Sequence, residues 1–213
     1  MDDLKDKAAP VGMEDGKGAG KKRRKSKVRK DAYGENKSIV KEILGMVFYF
    51  AIVLVITLAI VKYVGQRTEV KGDSMYPTLH DGDNLIVDKI TYRFSDPEWF
   101  DIIVFPYQHD KKTHYIKRII GLPGETVQVV DGSIFINGNV LNEEYGNEKM
   151  VDAGLAANPM TLGEDEYFVL GDNRNNSQDS RLASVGNIHK DEIVGRAWVR
   201  IWPFSSFGIL KHQ

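Results

Sequence analysis

The chain has 213 residues, with 29 Lys+Arg against 30 Asp+Glu for a net charge of −1, and it contains no cysteine. A chain of this length is expected to form one ordinary domain with an appendage rather than two full domains. The lack of Cys excludes disulfide frameworks, Cys-ligated zinc, iron–sulfur clusters and thiol catalysis, and it leaves the redox compartment open, since a chain without thiols folds in either.

The balanced total conceals an asymmetry. Residues 1–42 carry 13 Lys+Arg against 8 Asp+Glu, a local charge of +5, whereas the remainder carries 16 against 22, or −6. The first 35 residues are rich in Gly, Lys and Asp and almost free of large apolar side chains. Too little surface can be buried there to offset ordering entropy, so 1–42 is expected to be a disordered basic tail.

From Ile43 to Val61 the run ILGMVFYFAIVLVITLAIV holds 19 residues without a charge, enough at ~1.5 Å per residue to cross the roughly 30 Å core of a bilayer. A membrane-spanning helix is therefore predicted over 43–64. A buried core helix would show a polar face, and this run is apolar all round. A removable signal peptide would end in a small-residue cleavage site, and Val61-Lys62-Tyr63-Val64-Gly65 offers no Ala-x-Ala. The decamer Lys21-Lys22-Arg23-Arg24-Lys25-Ser26-Lys27-Val28-Arg29-Lys30 lies close before the helix, so the positive-inside rule leaves the N-terminus cytoplasmic and exports residues 65–213. Such a decamer also reads as a nucleic-acid patch or a tether to anionic lipid. Beside a membrane span, topogenic and lipid-facing roles fit, and no nucleic-acid partner is expected.

The exported 149 residues alternate short apolar runs with turn signals. The runs are 84–87, 101–106, 113–120, 126–130, 133–136, 167–170 and 193–202; between them stand Asp81-Gly82-Asp83, Leu122-Pro123-Gly124, Asp131-Gly132, Asn137-Gly138 and Gly171-Asp172-Asn173. Asp-Gly and Asn-Gly between β-branched and aromatic runs signal hairpins. No segment after residue 65 keeps a long 3.6-residue period, so the expected fold is mostly β, a small coiled-sheet or barrel-like domain following one N-terminal transmembrane helix. No internal repeat is evident.

Without Cys, a nucleophile must be Ser, Thr, Lys or a carboxylate. In Gly72-Asp73-Ser74-Met75-Tyr76-Pro77-Thr78, the glycine lets the backbone bend and the proline stops a helix, leaving Ser74 in an extended-to-turn segment. Taken alone, such a serine more often makes local hydrogen bonds. None of the five histidines (His80, His109, His114, His189, His212) has an obvious orienting carboxylate motif. A lysine serves as base when desolvation lowers its pKa, and His114-Tyr115-Ile116-Lys117-Arg118-Ile119-Ile120 supplies one. Read as a strand, it puts Lys117 on a face with Tyr115 and Ile119, while Arg118 points the other way, to solvent or an ion pair. By itself Lys117 reads equally as a strand lysine that snorkels to water. The polar run Gly171 to Arg181 directly follows an apolar strand, a common place for a site and also for a plain surface turn. Trp198, Trp202, Phe204 and Phe207 read either as membrane-interface aromatics or as core and cap residues.

Three segments, in this order, resemble the signature boxes of type I signal peptidases: Ser74 to Thr78; Tyr115 to Glu125; and Gly171-Asp172-Asn173-Arg174 with Ser177, Asp179, Ser180 and Arg181. The resemblance covers roughly 43–204 and includes the anchor, the basic tail and the exported β domain. It implies a membrane-anchored serine endopeptidase that removes signal peptides from exported precursors through an acyl-enzyme, with Ser74 as nucleophile and Lys117 as general base. It further implies that Ser177 orients the lysine amine and that Asp179 and Arg181 hold the site together. Met75, Leu79, Tyr115 and Ile116 would line shallow pockets for small side chains. No cofactor and no metal is implied; precursors, the bilayer and the secretion translocon are the expected partners.

Two positions depart from the pattern. Gly72 replaces a serine whose hydroxyl helps form the oxyanion hole in part of the family, and a comparable donor is worth roughly 2.7–4 kcal/mol of transition-state stabilisation. Glycine there, with only about 50 residues between Gly121 and Gly171, resembles the compact Gram-positive members. Phe100 stands where a further box usually has glycine. Two rival readings are a self-cleaving repressor-type Ser–Lys protease and a non-catalytic peptide-binding module. The Ala-Gly pairs that self-cleavage favours, Ala19-Gly20 and Ala153-Gly154, are badly placed relative to Ser74, and the second rival gives no reason for Ser74, Lys117 and Ser177 all to be present.

Overall fold

The computed structural model describes residues 20–146 and 148–211, and the chain divides into two compact units, Met1–Ile56 and Thr57–Gln213. Helix α1 (Gly20–Tyr63) occupies the described part of the first unit and ends within the second. Its stretch Ile39–Ile60 is 22 residues long, apolar enough to cross a membrane, and exposed along its whole length. A core helix buries at least one stripe, and an apolar helix that buries none has the character of a lipid-facing anchor.

The start of α1 corrects the expected disordered tail over its described part: residues 20–42 are helical. Composition argues only that this segment buries no core. Its many Lys, Arg and Glu are good helix formers, no proline interrupts 20–63, and an existing helix extends at one hydrogen bond per residue without a new nucleation step. Residues 1–19 of the predicted tail lie outside the described residues.

The second unit is built of strands, as expected. They are β1 (Gly65–Glu69), β2 (Asn84–Asp88), β3 (Ile102–Tyr107), β4 (Asp110–Gly121), β5 (Thr126–Val130), β6 (Ser133–Ile136), β7 (Asn139–Val140), β8 (Met160–Thr161), β9 (Glu166–Leu170), β10 (Ile188–His189), β11 (Gly195–Trp202) and β12 (Gly208–Ile209). A large sheet runs β1-β2-β11-β3-β4-β9-β10 with β12 on β11, and a small one runs β7-β6-β5-β8. Register shifts along β11, between β3 and β4, and between β4 and β9 add local twist, which coils the large sheet. The predicted hairpins form where Asp-Gly and Asn-Gly stand. Asp131 and Gly132 between β5 and β6, and Asn137 and Gly138 between β6 and β7, all have positive φ, as a tight hairpin turn matching strand twist requires.

Strand β3 is apolar without alternation because both its faces are covered. Ile102 and Val104 join one buried cluster with Met75, Leu79, Val87 and Ala197; Ile103 and Phe105 join another with Ile119, Tyr167 and Val169. A third cluster fills the space between the small sheet and the β4–β9 end of the large one. These clusters hold β4 in the middle of the unit. Trp198 and Trp202 are half-exposed and Phe204 and Phe207 more so, so the aromatic C-terminal segment is a surface feature, not core.

Candidate active site

Ser74 is fixed by its neighbours. After β1 the chain turns at Gly72, whose φ is +80° and whose N–H donates to Asp81 Oδ1 at 2.7 Å. The Leu79 N–H then donates to the Met75 carbonyl at 2.9 Å, and both side chains plug into the core. From the far side, the loop after β9 clamps the same turn. The Asn173 N–H donates to the Ser74 carbonyl at 3.1 Å, and Asn173 Nδ2 donates to the Asp73 carbonyl at 3.0 Å.

Lys117 lies in the middle of β4 and is only 3% exposed. Its Nζ is 2.8 Å from Ser74 Oγ and 3.0 Å from the Ile116 carbonyl, and it stands 5.1 Å over the Tyr115 ring. Burial pushes its pKa down from the ordinary 10.5 to about 8, with Asp179 and Asp172 pulling weakly the other way. An amine that sheds its proton this readily, within hydrogen-bond reach of a hydroxyl, has the geometry and basicity to take that hydroxyl's proton. The strand reading of Lys117 thus holds, and its snorkelling alternative does not.

Arg118 faces opposite, as expected, and of its two predicted fates the structure selects the ion pair. Fully buried, it donates Nε and Nη2 to the two carboxylate oxygens of Asp172 at 2.9 and 2.7 Å, and Nη1 to the Phe100 carbonyl at 2.9 Å. Thr78 Oγ1 also donates to Asp172, at 2.5 Å, so one carboxylate ties the Ser74 turn to the strand that carries Lys117. Sequence reasoning placed Asp172 only within a polar run. The available signal was its position right after an apolar strand, where a carboxylate must find a buried partner. Phe100 has φ +69° and packs in the core. A bulky residue is strained there, and the bond from Arg118 to its carbonyl helps hold it.

Asp179 and Arg181 form a buried ion pair: Arg181 Nε and Nη2 donate to the two carboxylate oxygens at 2.8 and 2.9 Å. Asp179 also accepts from the Gly171 N–H at 3.2 Å, and Arg181 donates to the Asp152 and Arg174 carbonyls. The pair therefore braces the 171–181 loop from inside. Ser177 is brought into the site, but its Oγ is buried with no hydrogen-bond partner among the described residues, so the expected bond to Lys117 is not formed in this structure. Gly171 permits the crowding, since a Cβ there would overlap both Ser177 Oγ and the Ser74 carbonyl oxygen.

A groove of about 710 Å³ opens over Ser74 and Lys117, walled by residues 68–75 on one side and 112–117 on the other. Tyr115 and Ile116 line it, and Met75, 1% exposed, borders it from within the core. Leu79 does not. It is 0% exposed, four residues beyond Met75 and turned into the core, where it holds the Ser74 turn instead of forming a pocket. Among the histidines only His114 reaches the groove, and His212 is outside the described residues. No group of three His, Cys, Asp or Glu side chains able to hold a metal occurs among the described residues.

The matching family model is described as signal peptidase, peptidase S26, and it spans residues 41–202. The chain belongs to this family. A probable signal peptidase I-2 of Synechocystis sp. is 39% identical over 172 residues, which are 78% of this chain and 76% of that one. Signal peptidase I T of Bacillus subtilis is 38% identical over 73% of this chain and 84% of its own. Signal peptidase IB of Staphylococcus aureus is 35% identical over 81% of this chain and 95% of its own. A crystal structure of a signal peptidase I from Enterococcus faecalis is 37% identical, covers 48% of this chain and 97% of its own, and superposes with a TM-score of 0.41. Family members are serine peptidases, which agrees with the absence of thiol chemistry in this sequence.

Proposed function

We propose that this protein is a membrane-anchored serine endopeptidase that removes N-terminal signal peptides from exported precursors, with Ser74 as nucleophile and Lys117 as general base. The observation that carries the assignment of roles is the 2.8 Å separation of Ser74 Oγ and a Lys117 amine that is almost wholly buried.

Neutral Lys117 takes the proton of Ser74 as Oγ attacks the substrate carbonyl, and the resulting ammonium gives that proton to the departing amine of the mature chain. The acyl-enzyme left on Ser74 is then cleaved by a water that Lys117 deprotonates. Gly72 brings no hydroxyl, and a serine there would be strained by the left-handed backbone. The backbone N–H of Ser74 is left as the oxyanion donor from the nucleophile turn.

The groove favours an extended peptide. Strand β1 pairs only with β2, and β9 pairs with β4 only from Arg118 onward, so both walls keep backbone groups free on the groove side. A chain laid between them would gain main-chain hydrogen bonds, with small side chains against Met75, Tyr115 and Ile116.

The basic residues in the first turns of α1, ahead of its apolar stretch, support a cytoplasmic N-terminus and a catalytic unit on the extracytoplasmic side. The three divisions of the chain are then a basic cytoplasmic segment (1–42), an anchor (43–64) and an exported catalytic domain (65–213). Precursors delivered by a secretion translocon arrive in the same bilayer, and the exposed Trp198, Trp202, Phe204 and Phe207 suit the membrane interface.

The test is cleavage of a purified precursor by the full chain in detergent. Ser74→Ala and Lys117→Met are each expected to lower kcat by a factor on the order of 10⁴–10⁶, with circular dichroism unchanged. Activity retained by a folded Lys117→Met variant rejects the dyad. A serine-reactive acylating agent should label Ser74 in the wild type, which separates an enzyme from a peptide-binding module.

A further inference from the structure

A second concavity lies away from the groove, at the end of the catalytic unit where the anchor enters. It measures about 920 Å³, and its walls carry Lys62, Lys89, Arg93 and Lys190. Two carboxylates, Asp165 and Asp191, share the lining. Asp165 is engaged by His189 Nδ1 at 3.2 Å, and Lys190 pairs with Asp96 outside the cavity. Among the described residues Lys62, Lys89 and Arg93 form no ion pair. Three cations without an ion-pair partner therefore line the cavity against one such carboxylate, Asp191, a local excess of positive charge, although the chain beyond residue 42 has six more acidic than basic residues.

Chain connectivity sets the height of this cluster relative to a bilayer. Lys62 comes two residues after the apolar stretch ends at Ile60. Lys89 is held beside it, because its N–H donates to the Val64 carbonyl at 3.0 Å and Asp88 is paired with Gly65. Lys62 and Lys89 thus stand within about one helical turn of the hydrocarbon edge, in the headgroup layer, and Arg93 shares their cavity. Phe94, next to Arg93, is 86% exposed, and Tyr63 and Tyr92 also line the cavity. Cations interleaved with exposed aromatic and amphipathic rings suit the boundary between headgroups and acyl chains.

We propose that this cavity binds the headgroup of an anionic phospholipid of the leaflet that faces the catalytic unit. Lys62, Lys89 and Arg93 would contact the phosphate, and Phe94 would lie against the glycerol and upper acyl region. This site fixes the height of the catalytic unit at the membrane surface independently of the span. The inference rests on the anchor reading of α1, and the experiment reports on the two separately.

The full chain, purified in dodecyl maltoside, is titrated with dihexanoyl phosphatidylglycerol or dihexanoyl phosphatidylcholine below their micellar concentrations, and bound lipid is counted by native mass spectrometry. The anionic lipid should bind at least tenfold more tightly than the zwitterionic one and weaken as salt rises. Lys89→Gln with Arg93→Gln should reduce anionic binding about 30-fold, the change expected for two cations at a bilayer surface. Lys89→Arg with Arg93→Lys should retain it, and both variants should cleave a soluble peptide at the wild-type rate. Equal binding of the two lipids, unchanged binding in the Gln variant, or displacement of the lipid by equimolar inorganic phosphate each overturns the headgroup site. Flotation of the full chain with phosphatidylcholine vesicles tests the anchor alone; its failure would sink the anchor reading and leave the lipid comparison standing on its own result.

Discussion

An ammonium on Lys117 would have to shed most of its hydration inside β4, and it gains no carboxylate within hydrogen-bond distance in return. The cost of desolvation therefore exceeds the distant attraction of Asp179 and Asp172, and the pKa settles near 8. If Lys117 is the base, kcat/KM should rise about tenfold per pH unit below 8 and level off above it; a flat pH–rate profile from pH 5 to 9 rules this out. The same shift bears on stability. Between pH 8 and 10.5 the unfolded chain binds the proton and the folded chain does not, so stability rises with pH across that window. Below pH 8 the protonated lysine destabilises the fold by about 3 kcal/mol, taking ~1.36 kcal/mol per pH unit. Lys117→Met should then be more stable than wild type at pH 6, by up to that amount, and the gain should vanish by pH 10.5; equal or lower stability in denaturant unfolding at pH 6 contradicts this. The apolar face of Lys117 was legible from a period of two. The depth of its burial was not, because it depends on the loop after β9 and the Ser74 turn closing over it from about 40 to 60 residues away in sequence.

At the scale of elements, the site is two loops pressed against one strand, and their closeness leaves no spare volume. Gly171→Ala is expected to push Ser177 and the Ser74 carbonyl apart, since the added methyl would overlap both. A displacement of about 1 Å can cost on the order of 10²-fold in kcat. The check is kcat of the folded variant, and a wild-type value would show that the loop gives way without moving Ser74. Legibility at this scale divides by the range of the interactions. The turns at Asp131-Gly132 and Asn137-Gly138 could be read because the demand for positive φ is local to the dipeptide. Strand β1 could not, since GQRTE has no apolar alternation and forms a strand because β2 offers it an edge. Leu79 was misread for a related reason: spacing places it near Ser74, but only the packed cluster shows that it faces inward. Arg118 and Asp172 form a buried pair that no sequence period marks, because each satisfies the other across 54 residues of chain.

At the scale of the molecule, an anchor changes the kinetics rather than the chemistry. Enzyme and precursor held in one bilayer meet by lateral diffusion, so the concentration that sets the encounter rate is the number per unit of membrane area, not per volume of solution. Full chain and a membrane-inserted precursor, co-reconstituted at fixed bulk amounts, should therefore react more slowly as lipid is added, by about twofold per doubling of lipid while encounter is limiting. A short soluble peptide carrying the same cleavage sequence should be cut at a rate that does not depend on the amount of lipid, because it reaches the groove from water. Measuring both substrates in the same vesicles isolates what the anchor contributes, since Ser74, Lys117 and the groove are common to the two. If lipid dilution leaves the precursor rate unchanged, the Ile39–Ile60 helix serves only to retain the protein at the membrane, and the encounter is set elsewhere.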